Sequence, residues 1–223
     1  MSSTISCSQS NEMVVAGKSA DEIFQNKGVV SLIEAVVSKN RLEAEKLVQG
    51  GIDVNTKGYD GVTPLLWVQY SQDQDAMALL LDLGADPNRR LDKGGSPLWF
   101  AAGKGNKEIL LLLLKHGANP NMQIGPHSPL SGAVLEGHLE CAELLLKYGA
   151  DINFHNGDSV IDAAIVHGRY DYVNWALVHG YNYDLKMARR LVSARPEVRQ
   201  ESERTKALQI IDKMLAEQDA TNR

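Results

Sequence analysis

The chain of 223 residues carries 28 Asp and Glu against 23 Lys and Arg, a formal net charge of −5, and 43% of its residues are apolar. That apolar share supports a packed core, while no stretch reaches the apolar length that spans a bilayer. The acidic balance disfavours a nucleic-acid backbone as partner, because phosphate contacts need clustered positive charge.

At the amino terminus, residues 1–22 read as a flexible segment, polar and Ser-rich from Ser2 to Ser10. It is too short and too polar for a secretory signal, so the expected compartment is the cytoplasm. One alternative stays open. Ser6-Cys7-Ser8 resembles the start of a mature bacterial lipoprotein, which would place the chain in the periplasm through a lipidated Cys7. The other cysteine, Cys141, is far away, which argues against a disulfide scaffold and against a zinc site. Gly17-Lys18-Ser19 matches the end of a phosphate-binding loop, but the motif needs a glycine where Glu12 stands.

From about residue 23 a fixed ruler takes over. Thr63-Pro64-Leu65 is answered by Gly84-Ala85-Asp86-Pro87-Asn88, Ser96-Pro97-Leu98 by Gly117-Ala118-Asn119-Pro120-Asn121, and Ser128-Pro129-Leu130 by Gly149-Ala150-Asp151-Ile152-Asn153. Each opening hydroxyl residue lies 25 positions before its closing Asn. Such self-similarity, at a period of about 33, marks a stacked repeat protein. The chemistry within a repeat specifies a helix pair. Thr63, Ser96, Ser128 and Ser159 suit a helix N-cap, and Pro64, Pro97 and Pro129 occupy the first helical position, where no N–H is missed. A turn near Gln72, Gly105, Gly137 and Gly168 leads into a second, strongly apolar helix carrying Leu79 to Leu81, Leu110 to Leu114 and Leu144 to Leu146. Gly84, Gly117, Gly149 and Gly180 end it in the left-handed cap conformation. A lone pair of short helices cannot bury so much leucine, so stacked neighbours must share it.

The pattern resembles the ankyrin repeat, whose consensus opens Thr-Pro-Leu-His and closes Leu-Leu, two spacers, Gly-Ala-Asp-x-Asn. Repeats at 56–88, 89–121 and 122–153 are clear. A first at 23–55 closes with Gly51-Ile52-Asp53-Val54-Asn55, and a degenerate fifth at 154–184 opens at Ser159-Val160-Ile161-Asp162. The consensus His is replaced by Leu66, Trp99, Ser131 and Asp162, and the linking stretch shortens from Asn88–Ser96 to Asn121–Ser128 to Asn153–Ser159, which predicts stubbier later loops. The implied fold is all-α: a solenoid of stacked helix-turn-helix units with short hairpin-like loops and helical end caps. Residues 185–223 supply the closing helices, broken at Pro196, with Leu208, Ile211 and Leu215 on one side. A dimerisation helix is the rival reading of that segment, whose charges alternate in sign.

Chemistry is sparse. His116 and His179 share one slot before the capping glycine, and His138 and His167 stand at the inter-helix turn, positions set by the repeat rather than by ligand spacing. No Gly-x-Ser-x-Gly elbow occurs, and paired acids such as Asp73 and Asp75 sit on a turn with no implied pocket. No enzyme activity, metal or cofactor is expected.

The resemblance instead implies a concave binding face of loop tips and first helices. Its variable positions fall on Tyr59, Asp60, Val62, Tyr70 and Ser71, then Asp92, Lys93, Gly103 and Lys104, then His127, Leu135 and Glu136, then Asn156, Asp158, Val166 and His167. Tyr59, Tyr70 and Trp99 are the expected aromatic anchors, with Asp60, Lys93, Lys104 and Glu136 setting polar selectivity. Packing of Trp99 into the core between repeats is the alternative. The expected function is non-catalytic binding of a folded protein by a chain that is monomeric when free. The rival is an inhibitor or immunity-type protein whose acidic body covers the basic rim of a cognate enzyme.

Overall fold

A computed structural model describes residues 18–125, 127–155, 159–194 and 200–221. Residues 1–17, with Cys7 and the Ser-rich start, lie outside the described residues, as do Asn156, Asp158 and Pro196. The helices are α1 (Ala20–Ile23), α2 (Lys27–Val37), α3 (Arg41–Gln49), α4 (Pro64–Tyr70), α5 (Gln74–Asp82), α6 (Pro97–Gly103), α7 (Lys107–Lys115), α8 (Pro129–Glu136), α9 (Leu139–Lys147), α10 (Val160–Val166), α11 (Tyr170–Val178), α12 (Leu185–Ser193) and α13 (Glu201–Thr221). Among the described residues there is no strand, only an isolated antiparallel bridge between Ile124 and His127.

The caps form as the residue types dictate. Thr63, Ser96, Ser128 and Ser159 accept from the backbone N–H of Leu66, Trp99, Ser131 and Asp162 at 3.1–3.3 Å. Two departures from the consensus gain a role here. Ser131 and Asp162 reach back to accept the N–H of Ser128 and Ser159, at 2.9 and 3.1 Å, completing capping boxes. Leu66 instead is buried in an apolar cluster, with Trp99 packed against it.

Helices α2/α3, α4/α5, α6/α7, α8/α9 and α10/α11 form five hairpins that stack on their neighbours. One continuous apolar strip runs through them, from Leu32 past Leu65, Leu80, Leu98, Leu113, Leu130, Leu145 and Val173 to Leu185 and Ile211. At the far end α13 lies against α11 and α12, with Ala207 and Ile211 fully buried and Leu208 and Leu215 partly so. The Asn174 amide donates to the Glu203 carbonyl and carboxylate at 2.9 and 2.8 Å, fixing that seat.

A side-chain ladder ties the repeats along their loops and explains the closing Asn. Asn55 Nδ2 donates to the Gly84 carbonyl at 3.0 Å while its Oδ1 accepts the Asp86 N–H at 2.7 Å. Asn88 does the same to Gly117 and Asn119, and Asn121 to Gly149 and Asp151, at 2.8–3.0 Å. At the degenerate fifth repeat the Asn153 Nδ2 bond to Gly180 stretches to 3.5 Å. Each such bond contributes about 0.5–1.5 kcal/mol. Asp53, Asp86, Asn119 and Asp151 accept the N–H two residues on at 2.8–2.9 Å, closing a local turn that aims the ladder Asn.

At the turn between the helices of a pair, Gly105, Gly137 and Gly168 take positive φ, and so do Lys39 (59°) and Gln72 (57°). The glycine-free turn of the second repeat therefore keeps the geometry of its sisters against the steric preference of an L-residue. Gln72→Gly is expected to raise the unfolding free energy by about 1 kcal/mol in urea titration. An unchanged or lower midpoint would show that the turn carries no strain.

Candidate protein-docking face

Three loop fingers project from the stack, and their backbones close on themselves. The Gly58 N–H donates to Val62 at 2.7 Å and the Leu91 N–H to Gly95 at 3.1 Å, while Ile124 and His127 exchange bonds at 2.8 and 3.1 Å. The last pairing spans a shorter loop, in line with the shrinking linkers. The tip of the first finger is a single 3-10 turn, Tyr59–Gly61, with Asp60 at φ 55°. Crossed ion pairs join it to the next finger: Lys93 Nζ sits 3.1 Å from Asp60 Oδ2, and Lys57 Nζ 3.2 Å from Asp92 Oδ1. The Asp92 N–H also donates to the Asp60 carbonyl at 3.0 Å. Lys93 donates this hydrogen bond to the Asp60 carboxylate, which raises the lysine's pKa. Asp60 and Lys93 thus spend part of their charge on one another rather than standing free.

Beneath these fingers lies a second apolar cluster of Ile23, Phe24, Val29, Val30, Ile33, Val62, Leu66 and Phe100. It seats α1. Ala20–Ile23, at the end of the segment read as flexible, forms a helical turn because Ile23 and Phe24 fit against Gly58, where a Cβ would come 2.5 Å from the Ile23 carbonyl oxygen. Val62, expected among the variable surface positions, is fully buried here, because the finger turns its side chain toward α1. Trp99 is half-buried against the same cluster. It meets Phe100 edge-on at 5.2 Å, and its Nε1 is enclosed with no hydrogen-bond partner.

The two tyrosines remain outside. Tyr59 is 55% exposed, with Lys18 Nζ 4.1 Å from its ring centre, and Tyr70 is 40% exposed, with Lys104 Nζ 5.8 Å from its ring centre. Tyr70 and Lys104 come together at a cleft between α4 and α6, floored by Leu66, Leu91 and Phe100. Its space of about 30 Å³ accommodates one or two waters and no metabolite. Gln69 donates to the Pro97 carbonyl at 2.9 Å, leaving its Oε1 buried without a partner at this cleft. Gln69 is not among the contacts expected from the repeat. Its signal was there: the equivalent positions are Ala102 and Val134, so a polar residue breaks an apolar column. Further along, His127 is half-buried at its bridge, Leu135 is half-buried, and Glu136, Val166 and His167 are exposed.

The remaining reactive groups have repeat duties. The His138 ring covers Gly105, where a Cβ would lie 2.5 Å from its Nδ1, and His179 stacks on Trp175 at 4.3 Å. Cys141 is buried, and that burial pushes its thiol pKa up, away from nucleophile character. Among the described residues no three His, Cys, Asp or Glu side chains converge on a metal-sized site, and no helix is long and apolar enough to cross a membrane.

Comparison with known proteins agrees with this geometry. A family model of ankyrin repeats in three copies matches residues 32–124, and a single ankyrin repeat matches residues 127–157. No match is found among curated proteins. With capped helix pairs, a shared leucine strip and an asparagine ladder at the family's spacing, the chain belongs to the ankyrin repeat family, whose repeats generally mediate protein–protein interaction.

Proposed function

We propose that the chain is a non-catalytic docking module. It is monomeric when free, and it grips a folded protein through the fingers and first helices of its repeats. The observation that carries this is the pair Tyr59 and Tyr70. Both are large aromatics left 55% and 40% exposed on backbone that is otherwise tied down by caps, crossed ion pairs and the asparagine ladder. A rigid aromatic costs little entropy to immobilise and contributes strongly to an interface, and a pre-ordered face binds with little backbone movement. Tyr59, Asp60, Tyr70, Lys93, Trp99, Lys104, His127, Leu135 and Glu136 are the proposed contacts, with Trp99 supporting the face from behind.

Co-purification from the native host, followed by Tyr59→Ala/Tyr70→Ala, tests this. Affinity is expected to fall at least tenfold, about 1.4 kcal/mol or more, and retention of the partner at unchanged affinity would defeat it. The inhibitor reading is a special case in which the recovered partner is an enzyme that loses activity on binding. The compartment, cytoplasm or periplasm through a lipidated Cys7, is read from the mass of the amino-terminal peptide of the natural gene product.

A further inference from the structure

We infer that the face of the second and third repeats receives an acidic segment of its partner; this rests on the docking function proposed above. The charge of this face runs against that of the body. Residues 1–184 hold 22 acidic against 14 basic residues. Yet the carboxylates of these two fingers are already engaged, Asp60 by Lys93 and Asp92 by Lys57. What is left over on the fingers and first helices is cationic, while on α1 the exposed Asp21 and Glu22 stand beside Lys18. Lys18 and Lys104 have no carboxylate within ion-pair distance among the described residues, and each ammonium lies over a tyrosine ring instead.

A lysine held on a ring face is oriented by that ring while keeping donors free. Tyr59 with Lys18, and Tyr70 with Lys104, therefore form two like units, each an aromatic surface topped by a cation that has no ion-pair partner among the described residues. A carboxylate approaching either unit meets the ammonium, and apolar atoms beside that carboxylate meet the ring. The cleft below Tyr70 and Lys104 is too small for a side chain of any size, so the segment lies across the face rather than plugging into it. Repulsion from the acidic body steers an acidic partner away from other surfaces and toward this one. That polarity is the reverse of an acidic body covering a basic rim. It does not fit a nucleic-acid strand either, because Asp60 and Asp92 stand on the same fingers, where they disfavour a phosphate backbone.

The test is selection of short random peptides displayed on phage against the full chain, repeated with Lys18→Glu/Lys104→Glu, with Tyr59→Ala/Tyr70→Ala, and with Lys115→Glu, an exposed position on α7, as control. All variants are surface changes whose folding is checked by circular dichroism. The expected result is enrichment of Asp- and Glu-rich peptides whose binding drops roughly tenfold or more in the lysine variant, weakens with salt, and is unchanged in Lys115→Glu. Failure to enrich any peptide, enrichment of neutral or basic ones, acidic peptides that ignore the lysine variant, or a polythymidine strand that binds more tightly would each overturn the inference. Non-acidic peptides that depend on Tyr59 and Tyr70 would sink it while leaving docking on this face intact. Peptides indifferent to both pairs would sink the docking proposal as well.

Discussion

Leu113→Ala is expected to lower the unfolding free energy by about 2–5 kcal/mol. Leu113 is fully buried in α7, in the middle of the apolar strip, and its carbonyl accepts the Ala118 N–H at 3.0 Å where the helix ends. Truncation removes three side-chain carbons from a position that neighbouring repeats pack on, and the cavity closes only by moving those repeats. In a solenoid the contacts between adjacent repeats are the core, with no separate centre to compensate. Urea titration followed by helix ellipticity provides the number. Leu42→Ala, at a residue 76% exposed, is the matched control and changes the unfolding free energy by no more than about 0.5 kcal/mol. Equal effects for the two would mean that Leu113 does not sit in a shared strip.

Gly95→Ala carries the other large effect, about 2–6 kcal/mol, from two sources. Gly95 has φ 98°, where an L-residue is strained by about 1–3 kcal/mol. A Cβ there would also lie 2.5 Å from the Phe100 ring, which is buried in the cluster beneath the fingers, so overpacking adds about 1–3 kcal/mol. Gly94 separates the two. It has φ 92°, and its Cβ would meet only Ile124, at an ordinary 3.5 Å. Gly94→Ala is therefore expected to show the backbone cost alone, and the difference between the two variants in chemical denaturation isolates the ring contact. A Gly95→Ala cost no greater than that of Gly94→Ala would remove the claim that the finger is seated on Phe100.

The stack was legible because its devices are local and repeated. Thr63 followed by Pro64, or Gly84 followed by Asp86 and Asn88, specifies a cap or a turn within a few residues, and recurrence of the set reveals which elements are equivalent. Even the partner of Asn88 could be guessed, since it bonds to the next copy of the same loop. The seat of α1 was not legible. A single helical turn has no periodicity to detect, and Ile23 and Phe24 gain meaning only once Gly58 is known to leave room for them. For the face, exposure of Tyr59 and Tyr70 followed from their place in the repeat. The pairing of Asp60 with Lys93 was available in principle, because the two hold the same finger position in consecutive repeats with opposite charge. The side taken by Trp99 was open, because a first-helix tryptophan can point to the groove or to the cluster beneath the fingers, and its edge-on contact with Phe100 and its Nε1 lying 3.5 Å from where a Cβ of Gly132 would stand exist only in three dimensions.

Hydrogen exchange of the chain with and without its co-purified partner tests the central claim most directly, namely that one flank of a shared-core stack is built to hold another protein. Added protection is expected in the fingers and first helices, over residues 57–61, 66–72, 91–95 and 99–104, with no change along the outer helices at 78–83 and 110–115. Protection confined to those outer helices, or to α13, would contradict it.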